Sequence, residues 1–231
     1  MRRASTASTS RRWAELGTAA ALAVAPGATF GAGGHHAVDD AALVDPGQCQ
    51  IETWWDHELG GRRKLLHLGP ACRAGAAELG LNLDNVRSDG ATTTILGAQF
   101  KWATEVRPGL SAGVSVGMAV GDRPPRRLLD SVIVPLTWQA ADAVLLHVNV
   151  GRDHTEGRGG TVHGGVALEW SPNSLWSFVG ERFRETGKTA WRIGVRRELG
   201  SGASLDFSQA RELHRDPRPW WTVGLTWAFA R

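Results

Sequence analysis

The chain has 231 residues, with 29 Gly, 11 Trp, 6 Phe and no Tyr. No apolar run reaches the roughly 18 residues that a spanning helix needs, so a helical membrane protein is excluded. The formal charge of +3 comes wholly from Arg2, Arg3, Arg11 and Arg12 against Glu15. From Gly33 onward acidic and basic residues balance, so the basic pI is no argument for nucleic acid.

The N-terminus reads as a secretory signal over residues 1–33. It has a basic start, an apolar stretch from Leu16 to Ala25 and small residues up to Gly34. Residues 34–47 then read as a polar periplasmic tail ending in Pro46-Gly47. Cleavage after Ala32 or after Gly33 leaves a free amine with His35 or His36 as the third residue. Amine, two deprotonated amides and imidazole make the square-planar set favoured by Cu(II) or Ni(II), with Asp39 and Asp40 as further oxygen donors. The same stretch also reads as plain polar chain. Cys49 and Cys72 fit an oxidising compartment.

Strands follow over 48–58, 63–70, 75–87, 91–106, 109–121, 127–139, 142–154, 160–171, 174–185, 189–199, 203–213 and 219–230. Their alternation has a period of two. Leu79, Leu81 and Leu83 oppose Glu78, Gly80 and Asn82. Leu96, Ala98, Phe100 and Trp102 oppose Gly97, Gln99 and Lys101. In the last strand Trp221, Val223, Leu225, Trp227 and Phe229 oppose Thr222, Gly224, Thr226 and Ala228. The stretch 174–185 is ambiguous, because Trp176 and Phe178 compete with Val179 and Phe183 for the apolar side.

A soluble β-domain would also alternate, and the tryptophans argue against it. Trp102, Trp138, Trp170, Trp176 and Trp227 fall near one set of strand ends. Trp191, Trp220 and Trp221 fall near the other. Two aromatic rings at interface height are the girdles of a membrane barrel. The turns at 107–108, 140–141, 172–173 and 200–202 are tight, whereas 122–126, 155–159 and 215–218 are longer.

Signal, even strand count, aromatic rings and aromatic terminal strand together make residues 48–231 resemble the small outer-membrane β-barrel proteins of Gram-negative bacteria, of porin or transporter type. The resemblance implies an all-β, up-and-down antiparallel transmembrane β-barrel of about twelve strands after a cleaved signal. It implies a cell outer membrane location, contact with lipid and lipopolysaccharide, delivery by barrel-assembly machinery and a monomer. Such proteins typically end on an aromatic residue, but here Ala230-Arg231 follow Phe229. The fold hosts pores, enzymes and anchors alike and does not supply the function.

Cys49 and Cys72 lie symmetrically about Gly60-Gly61, so a hairpin there places them opposite each other as a disulfide. Pro70 is expected to shift that register with a bulge. The other polar face carries charges whose pairing follows from the turns. Glu78 falls opposite Lys101, His147 opposite Glu169, Asp153 opposite His163, and Arg196 opposite Asp206. A slip of one residue would destroy these pairs. They read as a ladder filling a narrow barrel or as the lining of a charge-selective route for small solutes. The alternative is a closed barrel with a structural or Cu/Ni-binding envelope role. His147, His163, Asp153, Glu169 and Ser208 include the residue types of a hydrolase, but no local motif marks a nucleophile, so no enzyme is expected.

Overall fold

The structure is a computed structural model that describes residues 34–124, 126–157, 159–213 and 217–231. The signal 1–33 lies outside the described residues, as does the centre of the 215–218 loop. Twelve strands follow one another: β1 (Gln48–Glu58), β2 (Arg63–Ala74), β3 (Ala77–Ser88), β4 (Ala91–Arg107), β5 (Leu110–Gly121), β6 (Arg127–Ala141), β7 (Val144–Thr155), β8 (Gly159–Asn173), β9 (Trp176–Glu185), β10 (Lys188–Gly200), β11 (Ala203–Glu212) and β12 (Pro219–Ala230). Each pairs antiparallel with its chain neighbours, and β1 closes on β12 from Gln48 opposite Ala230 to Glu58 opposite Trp220. The result is a closed up-and-down barrel with no free edge, which satisfies every wall strand within the wall itself.

The outer surface explains why the chain alternates. Leu79, Leu81, Leu83, Leu96, Phe100, Trp102, Val132, Val134, Leu168 and Leu225 all stand exposed on it. Water would not tolerate an apolar belt of this size, but a bilayer covers it. Trp102, Trp138, Trp170, Trp176 and Trp227 are exposed at one rim, the rim where β1 begins and β12 ends. We call this the terminal mouth. Trp221 stands on the outer face near the opposite mouth, edge-on to Trp55 at 4.9 Å. Trp220 does not join that girdle. It turns inward and packs against the buried cluster around Val38, as strict alternation with Trp221 requires.

The first hairpin is longer than the sequence suggests, because β2 continues through Pro70 to Ala74. No bulge forms at Pro70. It faces Ile51, and the register runs unshifted to Cys49 opposite Cys72. Gly60 (φ 107°) and Gly61 (φ 74°) make the turn in left-handed conformations that favour glycine. The Cys49–Cys72 disulfide forms across β1 and β2 with Cα atoms 4.0 Å apart. This is the close spacing of a non-hydrogen-bonded antiparallel pair.

The ambiguous strand β9 is resolved by burial. Ser177, Val179, Glu181 and Phe183 face inward and are buried, while Trp176 and Phe178 face out. Val179 and Phe183 point into the lumen because something apolar meets them there.

Candidate functional site

What meets them is the chain's own N-terminal segment. Residues 34–47 are not a free tail; they lie inside the barrel, joined to β1 at the terminal mouth. Val38 is 0% exposed and packs with Ala167, Val179, Phe183 and Ala190. Gly165 on β8 leaves room for it, since a Cβ there would sit 2.7 Å from Val38 Cγ2. The segment crosses the lumen and doubles back, so that Gly34 lies near Arg196 and Thr226.

Inward polar groups of the wall hold the segment's backbone. Glu181 accepts from the amides of Ala37 (3.2 Å) and Val38 (2.9 Å). Thr137 Oγ1 accepts from Ala41 N at 2.8 Å, and Glu78 from Val44 N at 2.8 Å. The Asn149 amide, in the orientation that satisfies both its ends, donates to Asp39 O (2.8 Å) and accepts from Asp39 N (2.7 Å). Arg192 donates to the His35 carbonyl and to Glu181 Oε1 at 3.0 Å. These bonds replace the water that an extended polar backbone would otherwise need.

Two clusters anchor the side chains. Lys101 Nζ donates to Asp39 (2.8 Å) and Asp40 (3.0 Å). Burial pushes the Asp40 carboxyl up, but the Lys101 ammonium, the Ala42 amide and His147 together hold Asp40 below the ordinary carboxylate range. Asp39 and Asp40 are therefore committed to a lysine. The expectation that they share a metal with His35 and His36 is corrected. The histidines instead meet Asp206 of β11, with donor atoms of all three residues within 4.8 Å of one another. His35 Nε2 lies 2.7 Å from Ser208 Oγ, and His36 Nδ1 lies 3.5 Å from Glu181. Burial, with His36, Arg192 and Arg196 adding to it, holds His35 well below the usual imidazole range, so the ring is neutral at pH 7.

The expected wall pairs fare unevenly. Arg196 faces Asp206 in register and donates to it at 2.8 Å. Glu78 faces Lys101 in register, but the docked segment comes between them and each bonds to it. On β7 and β8 the register differs by two residues from the expected one: His147 faces Ala167, and Asp153 faces Thr161. A shift of two keeps every side chain on its face, and the pairs meet diagonally. His147 lies 3.5 Å from Glu169, and His163 Nδ1 lies 3.1 Å from Asp153. Ser208 bonds to His35 and not to His147 or His163, and no partner on His35 Nδ1 completes a triad.

Sequence reasoning passed over Val38, Thr137, Asn149, Glu181 and Arg192. For Glu181 a signal existed. It lies between Val179 and Phe183 on the face that competed with Trp176 and Phe178.

A closed twelve-strand barrel with an apolar belt outside and charged, hydrogen-bonding groups inside defines an outer-membrane-type channel fold. The chain belongs to the family described as Uncharacterised conserved protein UCP029691, whose model matches residues 20–229. No curated protein sequence matches it. Among solved structures it resembles the KdgM porin in complex with disordered oligogalacturonate, with TM-score 0.65 and 8% identity over 78% of this chain and 99% of the porin. The NanC porin matches with TM-score 0.59 and 7% identity, over 77% and 98% of the two chains. Outer membrane phospholipase A from Escherichia coli matches with TM-score 0.50 and 10% identity, over 78% and 91%. At these identities the likeness is one of fold.

Proposed function

We propose that the protein is a channel for small polar solutes in the outer membrane, closed at rest by its own N-terminal segment. The observation that carries this reading is the seating of residues 34–47. Hydrogen bonds and ion pairs hold them to β3, β4, β6, β9 and β11 around the lumen. In this reading Glu78, Lys101, His147, Asp153, His163, Glu169, Arg196 and Asp206 line the route once the segment withdraws. A conducting role is preferred over a catalytic one because Ser208 bonds to His35, whose Nδ1 lacks the partner that a triad needs. The barrel works as a monomer in contact with lipid and lipopolysaccharide, and barrel-assembly machinery delivers it.

The test is single-channel recording in planar bilayers of the disulfide-intact mature protein beside a variant lacking residues 34–44. The parent is expected to be silent or to open briefly, and the deletion to give long, reproducible steps. A folded deletion variant that stays silent overturns the channel reading.

That outcome would favour a second reading, a closed structural barrel. The specific observation behind it is that His147, Asn149, Asp153 and Glu169, on the inner wall, are each at most 2% exposed. The Cu(II) or Ni(II) role of the free N-terminal amine belongs to this second reading. It requires the mature chain to begin at Gly33 or Gly34.

A further inference from the structure

We propose that His35, His36 and Asp206 form an internal site for a divalent first-row transition ion, typified by Zn(II), that ties the docked segment to the barrel wall. It differs from a site at the free amine, because one ligand is a wall residue 170 positions away from the second histidine (206 − 36). The site rests on the docked position of the segment and does not depend on whether the barrel conducts.

Two observations point to a ligand here. The first is geometry. Donor atoms from two imidazoles and a carboxylate lie within 4.8 Å of one another. A tetrahedral ion with bonds of about 2.0–2.1 Å needs donors about 3.4 Å apart, which small rotations of the rings supply. Two histidines and a carboxylate are a known three-ligand set for zinc, leaving a fourth position for water. The second observation is an unmet need. His35 is 6% exposed, and its Nδ1 is buried with no hydrogen-bond partner. Buried ring nitrogens are seldom left so.

The surroundings fit a metal centre. Ser208 Oγ, 2.7 Å from His35 Nε2, is placed to accept a hydrogen bond from that nitrogen, in the tautomer that leaves Nδ1 with its lone pair. Glu181 lies 3.5 Å from His36 Nδ1 and orients that ring. Arg196 donates to Asp206 Oδ1, an outer-shell bond of the kind ligating carboxylates commonly accept. The charges of Arg192 and Arg196 are already matched by Glu181 and Asp206. The His35 and His36 rings lie against each other, tilted by 31° with 4.4 Å between centroids, so the ligands are held together before any ion arrives.

The test is titration of the folded, chelator-treated mature protein with Co(II), followed by displacement with Zn(II). One equivalent of Co(II) with tetrahedral visible absorption is expected. His36→Gln and Asp206→Asn should each weaken Zn(II) binding by about tenfold or more, with circular dichroism unchanged. If Asp206→Asn does not fold because the Arg196–Asp206 ion pair is lost, His36→Gln decides together with the Co(II) spectrum. Absence of stoichiometric uptake by folded protein overturns the site. So does uptake that His36→Gln leaves unchanged, which would put the ion elsewhere. A silent bilayer bears on the channel reading alone, because this readout counts bound ions.

Discussion

Val38 and His35 show how single residues fix the docked segment. Val38 has its whole side chain removed from water, a burial that stabilises by about 1.5–3 kcal/mol. His35 adds a dependence on pH. Asp206 of β11, Arg192 and Arg196 of β10, Glu181 of β9 and His36 of the segment face it. Its pKa in the docked state is held below the 6.5 of a free imidazole, so the docked state binds fewer protons than the released one. Docking is then at full strength above about pH 6.5 and weakens as pH falls below it. In chelator-treated protein, open probability should rise between pH 7.5 and 5.5, and His35→Asn should flatten that rise. A response that falls with acid in the parent would refute this assignment.

At the scale of elements, the strands were readable wherever one face meets lipid and the other meets polar groups, because the pattern then has a single cause. In β9 it has two: lipid selects Trp176 and Phe178 on one face, and Val38 selects Val179 and Phe183 on the other. The registers at Gly60-Gly61 and at Ser201 were legible from turn symmetry. The β7–β8 turn was misplaced by one residue in its centre, which moves partners by two and preserves the face. The docked segment was not legible. His35, His36, Asp39 and Asp40 are polar, and nothing local says that their partners are Ser208, Glu181 and Lys101, far along the chain. Of these, Lys101 of β4 is the one that meets both carboxylates. Lys101→Met would leave Asp40 buried, and Asp39 half-buried, without their cation; the loss at Asp40 costs about 3–5 kcal/mol. The segment should become accessible to limited proteolysis at residues 34–47 while the disulfide-bonded barrel stays protected. An unchanged digestion pattern would show that Lys101 does not hold the segment.

The molecule as a whole is polar in direction. The segment enters through the terminal mouth and carries Asp39, Asp40 and Asp45. A membrane potential acts on these charges with about 2.3 kcal/mol per elementary charge per 100 mV across the full field. The polarity that draws anions toward the terminal mouth should therefore open oriented channels more readily than its opposite. Symmetric gating would speak against a charged segment that leaves by that mouth. The same seating also orders events in time. The side-chain partners of the segment from the wall lie between 29 and 173 residues downstream of it, on strands from β2 to β11, and the wall is complete only when β12 meets β1. The full set of the segment's partners is thus assembled only when the late strands are in position. Its seating therefore depends on contacts between residues far apart in the chain, the kind that form slowly because the intervening chain must first be brought together.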